Sequence, residues 1–266
     1  MKIVVSEGYV YWGETPGLDS RTSTVWRVKT SGDAAEQLAT IHNDYGSEIT
    51  INVTSRFVAA ATYNHADQLF LVSKADRSVT SIGGFLDLNS QFFGVDEANS
   101  YVGSGQVGST QSLLAVPFDH SPPHTVATGL AESAYVAAVD ARRAYASLGF
   151  HKDVSVDFSG NVAQLPTMGF PLTVDADALY AVNSGDRVVR VAFSDNTVTT
   201  LAATSSYASA IVVDDIHAYW VDGNGVFEVA KSGGMVRVIS ATGATGVAVD
   251  NACVYWLADG IWTAPK

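Results

Sequence analysis

The chain has 266 residues, 47% of them apolar and only 16% charged, with a formal net charge of −12. That apolar share is enough for a sizeable core and excludes intrinsic disorder. The acidic balance offers no basic stripe to neutralise phosphates, so nucleic acid and anionic membranes are excluded as partners, while cationic partners and divalent metals remain open. The single cysteine, Cys253, allows no intrachain disulfide and is expected to be a buried small hydrophobe. No apolar run approaches the roughly 18 residues of a membrane helix, so membrane insertion is not expected. Met1-Lys2-Ile3-Val4-Val5-Ser6 is too short for a signal peptide, and any signal segment is expected to have been removed.

In chain order, one pattern recurs seven times. Repeat one (1–40) opens on Ile3-Val4-Val5-Ser6, leads to Val10-Tyr11-Trp12 and Val25-Trp26-Arg27-Val28, and after Lys29-Thr30-Ser31-Gly32 reaches Glu36-Gln37-Leu38-Ala39. Repeat two (41–82) is the most degenerate, with Ile51-Asn52-Val53-Thr54, Phe57-Val58-Ala59 and Leu69-Phe70-Leu71-Val72. Repeat three (83–128) has Phe93-Gly94-Val95-Asp96, Ser100-Tyr101-Val102 and Leu113-Leu114-Ala115-Val116. Repeat four (129–165) has Ala137-Ala138-Val139-Asp140, Ala144-Tyr145-Ala146 and Val154-Ser155-Val156-Asp157. Repeat five (166–203) has Leu172-Thr173-Val174-Asp175, Leu179-Tyr180-Ala181, Val188-Val189-Arg190-Val191 and, after Ser194-Asp195-Asn196, a strand to Leu201. Repeat six (204–241) has Ile211-Val212-Val213-Asp214, Ala218-Tyr219-Trp220, Val226-Phe227-Glu228-Val229 and, after Lys231-Ser232-Gly233-Gly234, Val236-Arg237-Val238-Ile239. Repeat seven (242–266) has Val247-Ala248-Val249-Asp250, Val254-Tyr255-Trp256 and Ile261-Trp262-Thr263-Ala264.

Short apolar strands at even spacing, separated by Gly, Asp and Asn turns, predict an all-β chain. Each repeat supplies strands a to d, from the axis outward. The fold predicted is a seven-bladed β-propeller of four-stranded antiparallel blades in a single domain, 1–266. Strand a is the most apolar and strand d the most polar, as expected of a blade whose outer edge meets water. The last repeat supplies only three strands, so either the last blade lacks its outer strand or the natural protein extends further. The Asp closing strand a at 96, 140, 175, 214 and 250 is expected to cap the a–b turn.

The repeats resemble the Tyr-Trp-containing propeller repeats of bacterial secreted and periplasmic proteins, similar in style to YWTD and NHL propellers. The resemblance is carried best by Val213-Asp214 with Tyr219-Trp220-Val221-Asp222-Gly223, and by Val249-Asp250 with Tyr255-Trp256. It implies the architecture and a secreted or periplasmic location, but no function, because propellers host enzymes, receptors and inert scaffolds.

In a four-stranded meander the b–c and d–a loops share one rim. His42, His65 and His151 all fall on that rim, followed two residues on by Asp44, Asp67 and Asp153. Imidazoles with carboxylates at that spacing could bind a divalent metal or do acid–base chemistry. His42, His65, His151 and Asp153 are therefore the catalytic candidates, and the three histidines the metal candidates. Asp44, Glu48, Asn64, Asp67, Gln91, Lys152 and Tyr207 are candidate ligand contacts on the same rim. Long b–c loops, Gly13 to Thr24 and Gly103 to Gln111, also lie there. No nucleophile elbow, phosphate loop, dinucleotide fingerprint or cysteine cluster occurs. Gly223-Asn224-Gly225 predicts a hairpin turn, with Asp222 and Asp259 as turn acceptors. The leading expectation is a non-catalytic binding or interaction scaffold for a protein, glycan or polar small molecule, without a cofactor. The alternative is a propeller hydrolase or metal-assisted lyase.

Overall fold

The computed structural model describes residues 2–17, 20–42, 49–62, 68–82, 93–104, 110–130, 134–148, 153–166, 169–183, 186–204 and 206–266. Among these the secondary structure is all strand. Seven antiparallel sheets follow one another along the chain, six of four strands and the last of three. Each is a simple meander in sequence order, as four strands joined by short turns must be. The fold is a seven-bladed β-propeller. Blade six is representative, with strands Ala208–Val213, His217–Asp222, Gly225–Ala230 and Arg237–Ser240. Blade seven has Gly246–Val249, Cys253–Leu257 and Ile261–Pro265.

The blades form two compact units, the first holding blades one to four and the second blades five to seven. Within each unit, apolar clusters lie between successive blades. Tyr11 and Val25 of blade one pack with Ile51 and Val58 of blade two. Tyr180 and Leu201 of blade five pack with Trp220 of blade six, and Tyr219 of blade six packs with Val254 and Trp256 of blade seven. Each such side chain, fully buried, contributes about 1.5–3 kcal/mol.

Burial peaks at strand b, not at strand a as the apolar gradient in the sequence suggests. Strand b of blade five is buried at every position but its last, whereas strand a of blade one is buried only at its first. Strand a is a sheet edge with one flank unpaired, and strand b has a neighbour on both sides. Successive Tyr and Trp point to opposite faces yet both are buried, as in blade six, where Trp220 meets blade five and Tyr219 meets blade seven. Cys253 departs from expectation: it opens strand b beside the a–b turn and is only half-buried.

Candidate functional site: two unlike rims

The a–b turns of blades three to seven are built the same way, whereas blade one turns over two residues, Glu7 and Gly8. In blade six, Asp214 Oδ1 accepts the backbone N–H groups of Ile216 (2.8 Å) and His217 (2.7 Å), while Oδ2 accepts the Tyr219 hydroxyl (2.8 Å). The same three bonds recur at Asp96 with Tyr101, Asp140 with Tyr145, Asp175 with Tyr180 and Asp250 with Tyr255. The expected turn cap is therefore present, with a second bond: the hydroxyl five residues on ties the turn to the buried strand. In degenerate blade two, Thr54 replaces the aspartate and its Oγ1 accepts the Phe57 N–H (3.0 Å).

A further contact comes from the residue just after strand c of the next blade. Lys231 Nζ lies 2.5 Å from Asp175 Oδ2 and over the Tyr180 ring. Lys266 Nζ lies 2.6 Å from Asp214 Oδ2 and over the Tyr219 ring. Lys74 does the same with Glu7 and Tyr11. Where that residue is aromatic, ring contact replaces the ion pair: Phe118 meets Phe57 edge-on, and Phe158 stacks on Tyr101 at 4.7 Å.

Burial opposes ionisation of Asp214, but the Lys266 ammonium, the two N–H groups and the Tyr219 hydroxyl outweigh it and hold its carboxyl far below the usual range. Burial, then the adjacent carboxylate, pushes the Tyr101, Tyr145, Tyr219 and Tyr255 hydroxyls above theirs. These perturbed groups belong to a repeated structural device.

The opposite rim is uneven. The b–c connections run over 15–21, 63–67, 105–110 and 149–152 in the first four blades, and over 184–186, 223–224 and 258–260 in the last three. The first is shorter than the sequence suggests, because Gly13 and Glu14 finish strand b and Thr22, Ser23 and Thr24 begin strand c. Polar side chains are buried at the base of this rim. Thr15 and Ser23 share a hydroxyl–hydroxyl bond of 2.9 Å, and Thr62, Gln111, Ser147 and Asp222 are buried at strand ends. Asp222 Oδ1 accepts the Asn224 N–H (2.7 Å), the turn acceptor expected, whereas Asp259 Oδ1 accepts a side-chain donor, the Trp262 indole N–H (2.9 Å).

Of the sequence candidates, three lie among the described residues. His42 ends strand d of blade one opposite Thr22 and is exposed. Tyr207 precedes strand a of blade six and is 71% exposed. Asp153 is a strand residue: it opens strand c of blade four, is fully buried, and its Oδ2 accepts the Gly169 N–H (3.0 Å). His65, His151, Asp44, Glu48, Asn64, Asp67, Gln91 and Lys152 lie outside the described residues. Among the described residues, no group of three or more His, Cys, Asp and Glu side chains could hold a metal ion. The Asp–Tyr pairs, which the candidate list did not contain, were visible as a five-residue spacing repeated from Asp96 to Tyr255.

No family model and no curated protein matches the chain. Solved structures do. BamB from Moraxella catarrhalis aligns over 98% of this chain and 83% of its own, with a TM-score of 0.60 at 14% identity. The extracellular domain of BT4673, described as a one-component system of B. thetaiotaomicron, aligns over 97% of this chain but 37% of its own, with a TM-score of 0.69 at 11% identity. The computationally designed Ika8 protein aligns over 100% and 95%, with a TM-score of 0.65 at 9% identity. The likeness is one of fold.

Proposed function

We propose that this chain is a non-catalytic interaction propeller that binds a protein partner through its b–c and d–a loops. The contrast between the rims carries this reading. Five of the seven copies, in blades three to seven, keep one Asp-capped a–b turn, from Asp96 to Asp250, while the b–c connections diverge in length and sequence. A scaffold that holds its architecture on one side and varies the other is suited to presenting a specific surface. Candidate contacts on that surface are His42, Asp44, Glu48, Asn64, Asp67, Gln91, Lys152 and Tyr207. A net charge of −12 favours a partner with a basic face. The likeness to BamB supports a protein as partner, and the extracellular domain among the similar structures supports a secreted or periplasmic location. Kinship with YWTD and NHL propellers, and a single domain over 1–266, belong to the same reading.

The test shortens the loops at 15–21 and 105–110 to the two-residue turn of Gly223-Asn224. Both forms, and a control altered on the other rim (Arg142→Ala), serve as baits for cross-linking in an extract of the source organism. The reading expects partners shared by the wild type and the control and lost from the loop-shortened form at unchanged melting temperature. Equal capture by all three refutes it.

A further inference from the structure

The a–b turns of blades two and three and the c–d turn of blade three flank a cavity of about 520 Å³. All three segments belong to the first compact unit. The cavity lies on the a–b rim, at the station where blades five and six carry their Asp–Tyr–Lys sets, and blade two is built differently there. Tyrosine stands at 11, 101, 145, 180, 219 and 255 in the other six blades, and Ala59 takes its place in blade two. Thr54 stands where blades three to seven have aspartate. The residue after strand c of the next blade is then Phe118, which packs in one cluster with Ala59 and meets Phe57 edge-on. The blade that lacks both the aspartate and the tyrosine of the repeat is therefore the one beside the cavity.

Its lining carries two charges of opposite sign that do not pair. The Arg56 guanidinium lies over the Phe57 ring, 5.1 Å from its centre, and forms no ion pair among the described residues. Glu97 is within electrostatic reach of Arg56, but its carboxylate accepts the Ser55 N–H and hydroxyl. Asp119 Oδ1 accepts the Ser121 N–H (2.9 Å), which holds the carboxyl below its usual range and keeps it charged. Asp119 likewise forms no ion pair among the described residues. Phe118, Pro117 and Pro122 supply an apolar wall, and Asn99 and His124 add an amide and an imidazole. Pro122 and Pro123 fix the backbone of the c–d turn, so little chain freedom is lost when a ligand settles against it.

We propose that this cavity binds a small zwitterion, a free α-amino acid with an apolar side chain. Its carboxylate pairs with Arg56, whose planar fork suits a carboxylate, and its ammonium pairs with Asp119. Its side chain lies against Phe118 and the prolines. Unpaired opposite charges lining one cavity are complementary to a ligand that carries both. A purely anionic ligand faces Asp119 as a like charge, and a purely cationic one faces Arg56. A residue within a peptide has neither charge on its backbone, and a terminal residue has one of them. The volume lies within the ~300–1,000 Å³ of small-molecule sites. This site is on the rim opposite the b–c loops and does not depend on a protein partner there.

The probes are L-phenylalanine and L-leucine, titrated calorimetrically into the whole protein. Saturable binding of at least one is expected at millimolar concentration. Arg56→Gln removes the cation, and Asp119→Asn removes the anion while keeping an acceptor for Ser121. Each is expected to weaken binding at least tenfold, with thermal melts confirming the fold of both. Ligand analogues test the same charges without altering the protein. Phenylacetate lacks the ammonium, phenethylamine lacks the carboxylate and glycine lacks the apolar group, and each is expected to bind at least tenfold more weakly than L-phenylalanine. Absence of binding by both amino acids at millimolar concentration overturns the proposal, as does binding insensitive to both substitutions. Equal binding of phenylacetate also overturns it, because the site then reads an anion alone. Equal binding of N-acetyl-phenylalanine amide does the same, because the cavity then belongs to a peptide-binding surface.

Discussion

Replacing Asp214 tests whether the a–b rim works as one unit. Its carboxylate accepts four donors: two backbone N–H groups, the Tyr219 hydroxyl and the Lys266 ammonium. Hydrogen bonds to a charged group contribute about 1.5–3 kcal/mol each, but such bonds are not additive within a network. Asp214→Ala also strands the hydroxyl of Tyr219, a side chain with no exposed surface. A loss of about 3–4 kcal/mol is expected, close to the cost of breaking a buried pair. Tyr219→Phe removes one bond and leaves the carboxylate its three other partners, so about 1–1.5 kcal/mol is expected. The two together should cost less than the sum, with a coupling of at least ~0.5 kcal/mol. Urea unfolding at neutral pH measures all three. Strict additivity would refute the claim that the aspartate acts through the tyrosine.

Other expectations follow from the same contacts. The raised hydroxyls of Tyr101, Tyr145, Tyr219 and Tyr255 contribute stability that is complete below the unfolded tyrosine value of about 10 and is lost as pH rises through the folded values. The denaturation midpoint should therefore fall above pH ~10, and Tyr→Phe at these sites should flatten that fall. The lowered carboxyls of Asp96, Asp175, Asp214 and Asp250 act in the opposite direction. Their contribution is present above about pH 4 and is lost as pH falls through the folded values, which acid titration of the midpoint would show. Gly169→Ala should destabilise by about 2 kcal/mol or more, since its Cβ would sit 2.5 Å from the Val182 carbonyl oxygen and 2.9 Å from Asn183 Cα, both backbone atoms. Thermal melts with EDTA, Ca²⁺, Mg²⁺, Mn²⁺ and Zn²⁺ should coincide. A bound metal at 100 times its dissociation constant would add about 2.7 kcal/mol, and a shift abolished by His42→Ala would favour the metal reading instead.

The repeat was legible because a propeller asks the same thing of every blade. An apolar strand, an Asp-capped turn and a Tyr-bearing strand solve the same packing problem in blades three to seven, and the apolar periodicity survives where blade one has Ser6 and blade two has Thr54 and Ala59. The strand boundaries at Glu14 and Thr22 were less legible, because polar residues continue the ladder once the strands are paired. Asp153 shows why site residues are harder to read. In sequence it sits beside His151 and Lys152 as an ordinary polar loop residue, yet its carboxylate is buried at the start of a strand and receives the Gly169 N–H. Which side chain turns inward depends on the exact residue at which pairing begins, and a shift of one residue reverses it.

The repeats also give an internal control that a single-copy fold lacks. Because each blade is a template for the others, a departure from the common pattern can be measured against its equivalents in the same molecule. Trp262 is exposed where Phe227 and Trp26 are half-buried, although all three occupy the same register position opposite the second aromatic position of strand b. The sequence of the strand does not explain that difference, since Ile261-Trp262-Thr263-Ala264 is as apolar as Val25-Trp26-Arg27-Val28. The explanation lies in the neighbour. Val25 and Trp26 have Ala39 and Gln37 across the ladder, and Ile261 and Trp262 have no strand there among the described residues. An apolar strand whose outer ladder is unfilled among the described residues leaves exposed what its counterparts bury within the chain.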